Sequence, residues 1–556
     1  MASELLTTLE PELLRGVPLH VCLGGWAKHW RPPDPGMFKV DDANYALSRQ
    51  AEYFDDFLSH DWQTSRWIKL CTLLVVYNSR AALLATFLAC PLIAGVRVVG
   101  VLPNYRPSSC FVYVVHLFFL CFWQRLRCSL LPPIMVFLDK LCIAQSPEQA
   151  ELKKKGILGL AAFLNHSKRL LVLWSPRYFS RLWCAYEIAA FLTDHNKNKR
   201  IVIMPVHAGI TILLCYFFFS WVASSALIVL GMLNHGTLGV QHGQDLWTVF
   251  PVALGAILVP VILLGAPAAT LVVQMAKQLR RAPEQLKTFE VQGAACFCCQ
   301  SGHKHPDTGA DIPCDRELVY RKLKDWYGRP TDISEEYLRR FNSLVHHRLR
   351  RSVLRQMPYA VPTAPLLYML SAATMPWLAD IMERLLWRVL FVKEDGLHFQ
   401  EFLGRFVLLE WAFVVTLVIT LGLQAVTLAT VLARRFPNVR DVWLGLLVLT
   451  ACAAPATVLV GTFFAYLHMA ADAWPPTIVF MVTLLLGSCL LRHLTNQEAA
   501  GAIQEIEDMS RQTSFMSDVT PTNTPQLTAE IFEAAVDNGL IARVPSNVSD
   551  KSGFSV

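Results

Sequence analysis

The stretch "CFCCQSGHKHPDTGADIPC" gathers Cys296, Cys298, Cys299, His303, His305 and Cys314, six residues whose side chains are soft or borderline metal ligands. Cys296 and Cys299 have the C-x-x-C spacing, and His303, His305 and Cys314 supply the further donors of a tetrahedral zinc site. The same cysteines would also serve as reduced thiols or as palmitoylated anchors beside a membrane. A lone C-x-x-C without a second matched pair leaves these readings open.

Other polar residues sit in apolar surroundings. Glu410 in "FVLLEWAFVV" and His116 in "YVVHLFFL" are ionisable groups within stretches that read as membrane helices. Such groups mark pathways by default, but Glu410 lies near a helix end and can extend toward water, so a buried or interfacial role is expected. The basic segments "CDRELVYRKLKDWYG" and "RRFNSLVHHRLRRSVLRQ" either bind anionic lipid head groups or form a solvated face that enforces topology.

These residues must be positioned by a chain built largely for lipid. Of 556 residues, 54% are hydrophobic and only 17% charged, and the mean hydropathy is +0.37. Eight stretches approach or exceed the roughly 17 to 25 residues that cross hydrocarbon. They run over 80–101, 109–124, 209–233, 247–275, 361–380, 405–432, 442–467 and 475–492. Each is read as a helix, because a span must satisfy its own backbone hydrogen bonds.

Sixteen lysines and arginines between Lys277 and Arg355, with Arg434, Arg435 and Arg440, place those segments on the cytosolic side. Arg384, Arg388 and Lys393 conflict with an outward loop after the fifth span. An even number of spans puts both termini in the cytosol, and "MASELLTTLEPELLRG" has no signal-peptide pattern. The fifteen scattered cysteines read as reduced thiols. A net charge of +7 is ordinary beside an anionic leaflet, and no nucleic-acid partner is expected.

Between the second and third spans lies the one long stretch of soluble α/β rhythm. "PIMVFLDK" (133–140), "KRLLVLWSP" (168–176) and "RIVIMPV" (200–206) read as buried strands, alternating with helices over 148–167 and 180–195. Continuous apolar strands between helices indicate a parallel sheet. "YFDDFLS" supplies a fourth strand, so the hairpin 80–124 interrupts one domain spanning 54–206. The remaining divisions are a polar region 1–53, spans over 207–276 and 359–494, a basic segment 277–358, and a Ser/Thr-rich tail 495–556, expected to be disordered.

Three boxes in this domain carry a resemblance. "FDDFLSHDW", "VFLDKLCIAQ" and "LLVLWSPRYFSRLWCAYEIAAF" resemble, in order, the strands and loops of a Toll/interleukin-1 receptor (TIR) domain, ending in a helix that begins Trp-Cys-x-x-Glu. The resemblance covers about 54–206 and implies a flavodoxin-like parallel sheet interrupted by the membrane hairpin. The loop "HDWQTSRW" replaces the family's usual arginine-rich loop, and the loop after Asp139 also departs from the common pattern.

TIR domains include interaction modules and enzymes that cleave NAD at the nicotinamide ribosyl bond. The resemblance implies Glu187 as the catalytic carboxylate, suited to an oxocarbenium-like state. Trp183, one turn earlier, is expected to share its cleft, with Ser59, His60 and Trp62 on the opposite wall and Asp139 among the nucleotide contacts. The bland alternative makes Glu187 a surface carboxylate favoured by its helix dipole, and Trp183 a core residue. The leading expectation is a multi-pass, membrane-anchored TIR-like signalling protein that cleaves NAD. The alternatives are a scaffold whose domain self-associates into a homo-oligomer, and a channel or transporter with a regulatory domain.

Overall fold

The computed structural model describes residues 9–31, 43–102, 106–144, 150–193, 200–234, 255, 258–304, 309, 311–312, 314–356, 361–391 and 411–453, with isolated positions beyond. Six strands form one mixed sheet: β1 (Arg15–Pro18), β2 (Arg49–Gln50), β3 (Phe54–His60), β4 (Met135–Phe137), β5 (Ser167–Trp174) and β6 (Arg200–Pro205). Their spatial order is β2-β1-β4-β3-β5-β6. The last four in that row are mutually parallel, while β1 pairs antiparallel with both β2 and β4. The four parallel strands lie close to the apolar runs that announce them. The polar region before residue 53, expected to be helical near 41–52, holds one short helix at Ala43–Ala46 and adds two strands to the edge.

The parallel strands are apolar along their length because both faces are covered. In β5 every residue from Leu170 to Trp174 is buried, and Phe57, Phe137 and Phe163 stack beside it, with ring centroids 4.4 to 4.5 Å apart. Asp56 breaks the pattern inside β3, and its buried carboxylate is satisfied on all sides. It accepts a two-pronged pair of 2.7 Å bonds from Arg169 and a 2.6 Å bond from the Tyr77 hydroxyl.

Helices of the domain are α1 (Leu160–Asn165) and α2 (Leu182–Thr193). The helix expected over 148–167 is interrupted at Gly159, so Ala150–Leu158 and α1 are separate. The link from β3 to the membrane is a single helix of 33 residues, Arg66–Val98, rather than a leading helix followed by a span from residue 80. It packs along Val112–Leu130, where Asn78 donates to the Leu120 carbonyl (2.7 Å) and Gln124 donates to Asn78 (2.8 Å). Such side-chain bonds substitute for water between helices in lipid.

Among the described residues, five helices are long and apolar enough to cross a membrane: Arg66–Val98, Ser108–Leu130, Ala208–Ile228, Leu258–Lys287 and Ala412–Arg435. These fit a membrane protein with several spans; a bundle of eight is not what the described residues display. The expected span 361–380 divides at Thr374 into Thr363–Ala373 and Met375–Phe391. The Ala373 carbonyl beside the break accepts a 2.7 Å bond from Tyr113. The expected span 442–467 is described only to residue 453. Glu410 and all but isolated positions of 475–492 and of the tail lie outside the described residues.

Charge inside the divided segment has partners. Arg97, near the end of the first long helix, reaches Glu383 at 2.7 Å, Asp380 at 3.6 Å and the Ser109 hydroxyl at 2.6 Å. Arg97, Asp380 and Glu383 are all buried.

Candidate functional site

Ser59 and His60 are the last two residues of β3, at the carboxyl edge of the parallel strands, where open α/β sheets bind ligands. The Ser59 hydroxyl donates to the Glu187 carboxyl group from α2 and lies 2.5 Å from the Tyr178 hydroxyl. Glu187 is half-buried, with protein packed densely around its carboxyl group. Burial pushes its carboxyl up to about 8, helped by the charge of Asp139 and opposed by the Ser59 hydrogen bond and Arg181. At neutral pH this acid therefore holds its proton.

Beside it stands a box of rings around a cation. His60 lies between Trp30 and Trp62, at centroid distances of 4.7 and 4.4 Å. Lys69, fully buried in the first turns of Arg66–Val98, places Nζ 3.2 Å from His60 Nδ1. Its ammonium also lies 5.7 Å from the Trp30 ring and 5.4 Å from that of Trp62. Burial, then the charge of Lys69, pushes the His60 pKa well below its usual value, so the ring is neutral. Its Nε2 has no protein hydrogen-bond partner among the described residues.

Asp139 closes the box. Its carboxylate accepts the Trp62 indole N–H at 3.0 Å and the Lys140 backbone N–H at 2.7 Å. Burial raises its pKa, against the pull of those two donors and of Lys69. Asp61 is also buried, and its carboxylate takes Arg181 at 3.0 Å and Arg177 at 3.4 Å, fixing the loop after β3 to the start of α2. The site thus combines three carboxyl groups, of which Asp61 is paired with Arg177 and Arg181, with a neutral imidazole, an ammonium and indole faces.

Ser59, His60, Trp62, Asp139 and Glu187 come together here. Trp183 faces elsewhere: its indole N–H donates to Asp315 at 3.3 Å, and its ring meets Tyr186 edge-on. The basic segment covers that side of α2, which spacing on an isolated helix does not reveal. Trp30, Asp61, Lys69, Tyr178 and Arg181 complete the site without having been singled out from sequence. Asp61 adjoins His60 within the first box and was within reach of the motif. Trp30 and Lys69 carry no local signal.

The Cys/His stretch forms two overlapping groups able to hold a metal ion, Cys296/Cys298/Cys299 and Cys298/His303/Cys314, with ligand atoms in each group within 4.8 Å of one another. Cys298 belongs to both, although the C-x-x-C spacing passes over it. His305 lies outside the described residues. No family model, curated protein or solved structure matches this chain.

Proposed function

We propose that the chain is a membrane-anchored signalling protein whose cytosolic domain, TIR-like and flavodoxin-like in strand order, cleaves NAD at the nicotinamide ribosyl bond. The observation that carries this reading is the contact between Ser59 and Glu187 at the carboxyl edge of the parallel strands, beside the Lys69–His60 pair. The four parallel strands follow the 2-1-3-4 order of doubly wound sheets, which supports the family reading.

Cleavage breaks the bond between ribose C1 and the pyridinium nitrogen. The electron pair leaves with nicotinamide, the ribosyl centre becomes an oxocarbenium, and water then adds to give ADP-ribose and a proton. A carboxylate beside C1 stabilises that cation. Glu187 is protonated in the free cleft, and an entering pyridinium favours its ionised form. Trp62 offers a ring face to the base, and Lys140, 5.6 Å from that ring, offers charge to the diphosphate.

The membrane helices anchor this domain, and an even number of spans over the whole chain would place both termini on the cytosolic side with the Lys/Arg-rich segments. Basic helices beside the membrane meet anionic lipids, and the domain associates with further copies of itself. Zinc is the ion proposed for the Cys/His cluster.

A second reading rests on the same contacts. A neutral Glu187 held by Ser59 beside Tyr178 also suits a structural carboxyl in a non-enzymatic scaffold. NAD consumption by the purified full chain in detergent separates the two, with Glu187→Gln as the comparison. The enzyme reading expects turnover in the wild type and at least about a hundredfold loss in the variant. Equal rates, or none in either protein once oligomerised, would leave the scaffold.

A further inference from the structure

The cysteine cluster is joined to α2 by more than proximity. Arg181 pairs with Ala295 in a short parallel bridge, in which the Leu182 N–H donates to the Ala295 carbonyl (3.0 Å) and the Ala295 N–H to that of Ser180 (2.7 Å). Cys296 follows at once. On the other side of the cluster, Asp315 follows Cys314, receives the Trp183 indole N–H, and directs its own backbone N–H to Cys298 Sγ at 3.2 Å. Both ends of the cysteine loop therefore rest on the first turn of the helix that carries Glu187.

The loop itself is a tight knuckle. After Cys299 the chain turns through Gly302 and His303, both with positive φ (63° and 58°), and the His303 N–H returns to the Cys298 carbonyl at 2.7 Å. A Lys304–Asp311 bridge and ion pair then closes the excursion and brings Cys314 back. Left-handed backbone at a histidine is uncommon and persists where its surroundings demand it.

The sulfur spacings select among the donors. Four ligands about 2.3 Å from a central ion lie about 3.8 Å apart along each tetrahedral edge. The Sγ atoms of Cys299 and Cys314 are 3.8 Å apart, and those of Cys298 and Cys299 are 4.0 Å apart. His303 is within 4.8 Å of Cys298 and Cys314, while Cys299 belongs to the other group, so His303 and Cys299 meet through the shared Cys298 and through Cys314. Cys296 lies 3.1 Å from Cys298, too close for a tetrahedral edge and far beyond the roughly 2.05 Å of a disulfide. The backbone N–H aimed at Cys298 Sγ is a donor of the kind that supports a metal-bound thiolate.

We infer that Cys298, Cys299, Cys314 and His303 form one tetrahedral site for a zinc-like cation, with Cys296 outside it, and that the bound ion clamps the basic segment onto the Glu187 helix. This deepens the zinc reading proposed above and rests on it. Binding releases three thiol protons, and the resulting site charge of −1 faces Arg316, which reaches the carbonyls of Gln292 and Ala294 beside the cluster. Clamping fixes Arg181, and through it Asp61 in the loop that follows His60.

The test uses the full chain in detergent. Elemental analysis is expected to find one zinc per wild-type chain, lost in Cys298→Ser and in Cys314→Ser and kept in Cys296→Ser. A metal-free wild type, or a Cys296–Cys298 disulfide detected by loss of two alkylatable thiols, overturns the site. Equal losses in the Cys296 and Cys298 variants overturn the ligand set. Hydrogen exchange on the wild type before and after chelation reads the clamp without relying on turnover or on any variant. Faster exchange at residues 182–187, restored by added zinc, is expected. Unchanged exchange with zinc demonstrably removed overturns the clamp and leaves the zinc reading intact.

Discussion

Lys69 Nζ stands 3.2 Å from His60 Nδ1, so the helix that leads toward the membrane begins with an ammonium inside the cleft. Replacing Lys69 with methionine preserves most of the volume and removes the charge. The His60 pKa is then expected to rise, yet to stay below its ordinary value of 6.5, because burial is the larger of the two causes. Titration of the labelled histidine by NMR measures both parts of this expectation. A pKa unmoved by the substitution would remove Lys69 from the site's electrostatics.

The raised pKa of Glu187 gives opposite pH trends to catalysis and stability. If the carboxylate is the working form, kcat/KM for NAD rises with pH through about 8, and Glu187→Gln abolishes that limb. For stability, the folded chain keeps this proton until about 8, whereas the unfolded chain releases it near 4.5. The contribution is complete below 4.5 and is lost as the pH climbs through 8. Melting curves of wild type and Glu187→Gln across that window should converge at low pH and separate upward, with the glutamine protein gaining.

The Arg97 cluster predicts a stability defect far from the cleft. Arg97→Leu removes the 2.7 Å guanidinium contact from the buried Glu383 while Asp380 keeps Arg384 at 3.4 Å, at a cost of about 3–5 kcal/mol. Thermal unfolding in detergent reads the loss. Adding Glu383→Leu to the same chain should recover part of it, because the carboxylate closest to the lost guanidinium is then gone while the Asp380–Arg384 pair stays.

Gly209 marks a close helix crossing. A Cβ there would fall 2.3 Å from Thr72 Cα, where the Thr72 hydroxyl already accepts the Gly209 N–H at 3.1 Å and donates to the Val206 carbonyl at 2.6 Å. Gly209→Ala is expected to cost about 1–3 kcal/mol by forcing the two backbones apart. Gly95→Ala, which meets nothing within 4 Å, is the control and should be neutral or better in the same melt.

The legible parts of the fold are those whose signal is local. The runs at Leu170–Trp174 and Ile201–Met204 are continuous because both faces are covered, so β5 and β6 could be read directly. β1 and β2 are four and two residues long, too short for any periodicity, and their pairing is visible only in three dimensions. The cleft shows the same division. Ser59, His60 and Glu187 stand in motif positions, whereas Lys69 reads as one cation at the start of an apolar helix, the usual place for a side chain reaching toward water. Trp183 was aimed by helical spacing alone and is turned by Asp315, 132 residues away.

The uninterrupted course of Arg66–Val98 has a mechanical meaning. At about 1.5 Å per residue, Lys69 and Arg97 are roughly 42 Å apart on one shaft. Arg97's ties to Ser109 and Glu383 hold the far end of that shaft, Asn78's bond to Leu120 holds its near half, and His60 meets its near end. One helix therefore holds at its two ends the buried Arg97 ion cluster and the Lys69–His60 contact, so a change at either end is carried on the same backbone, with Pro91 between them.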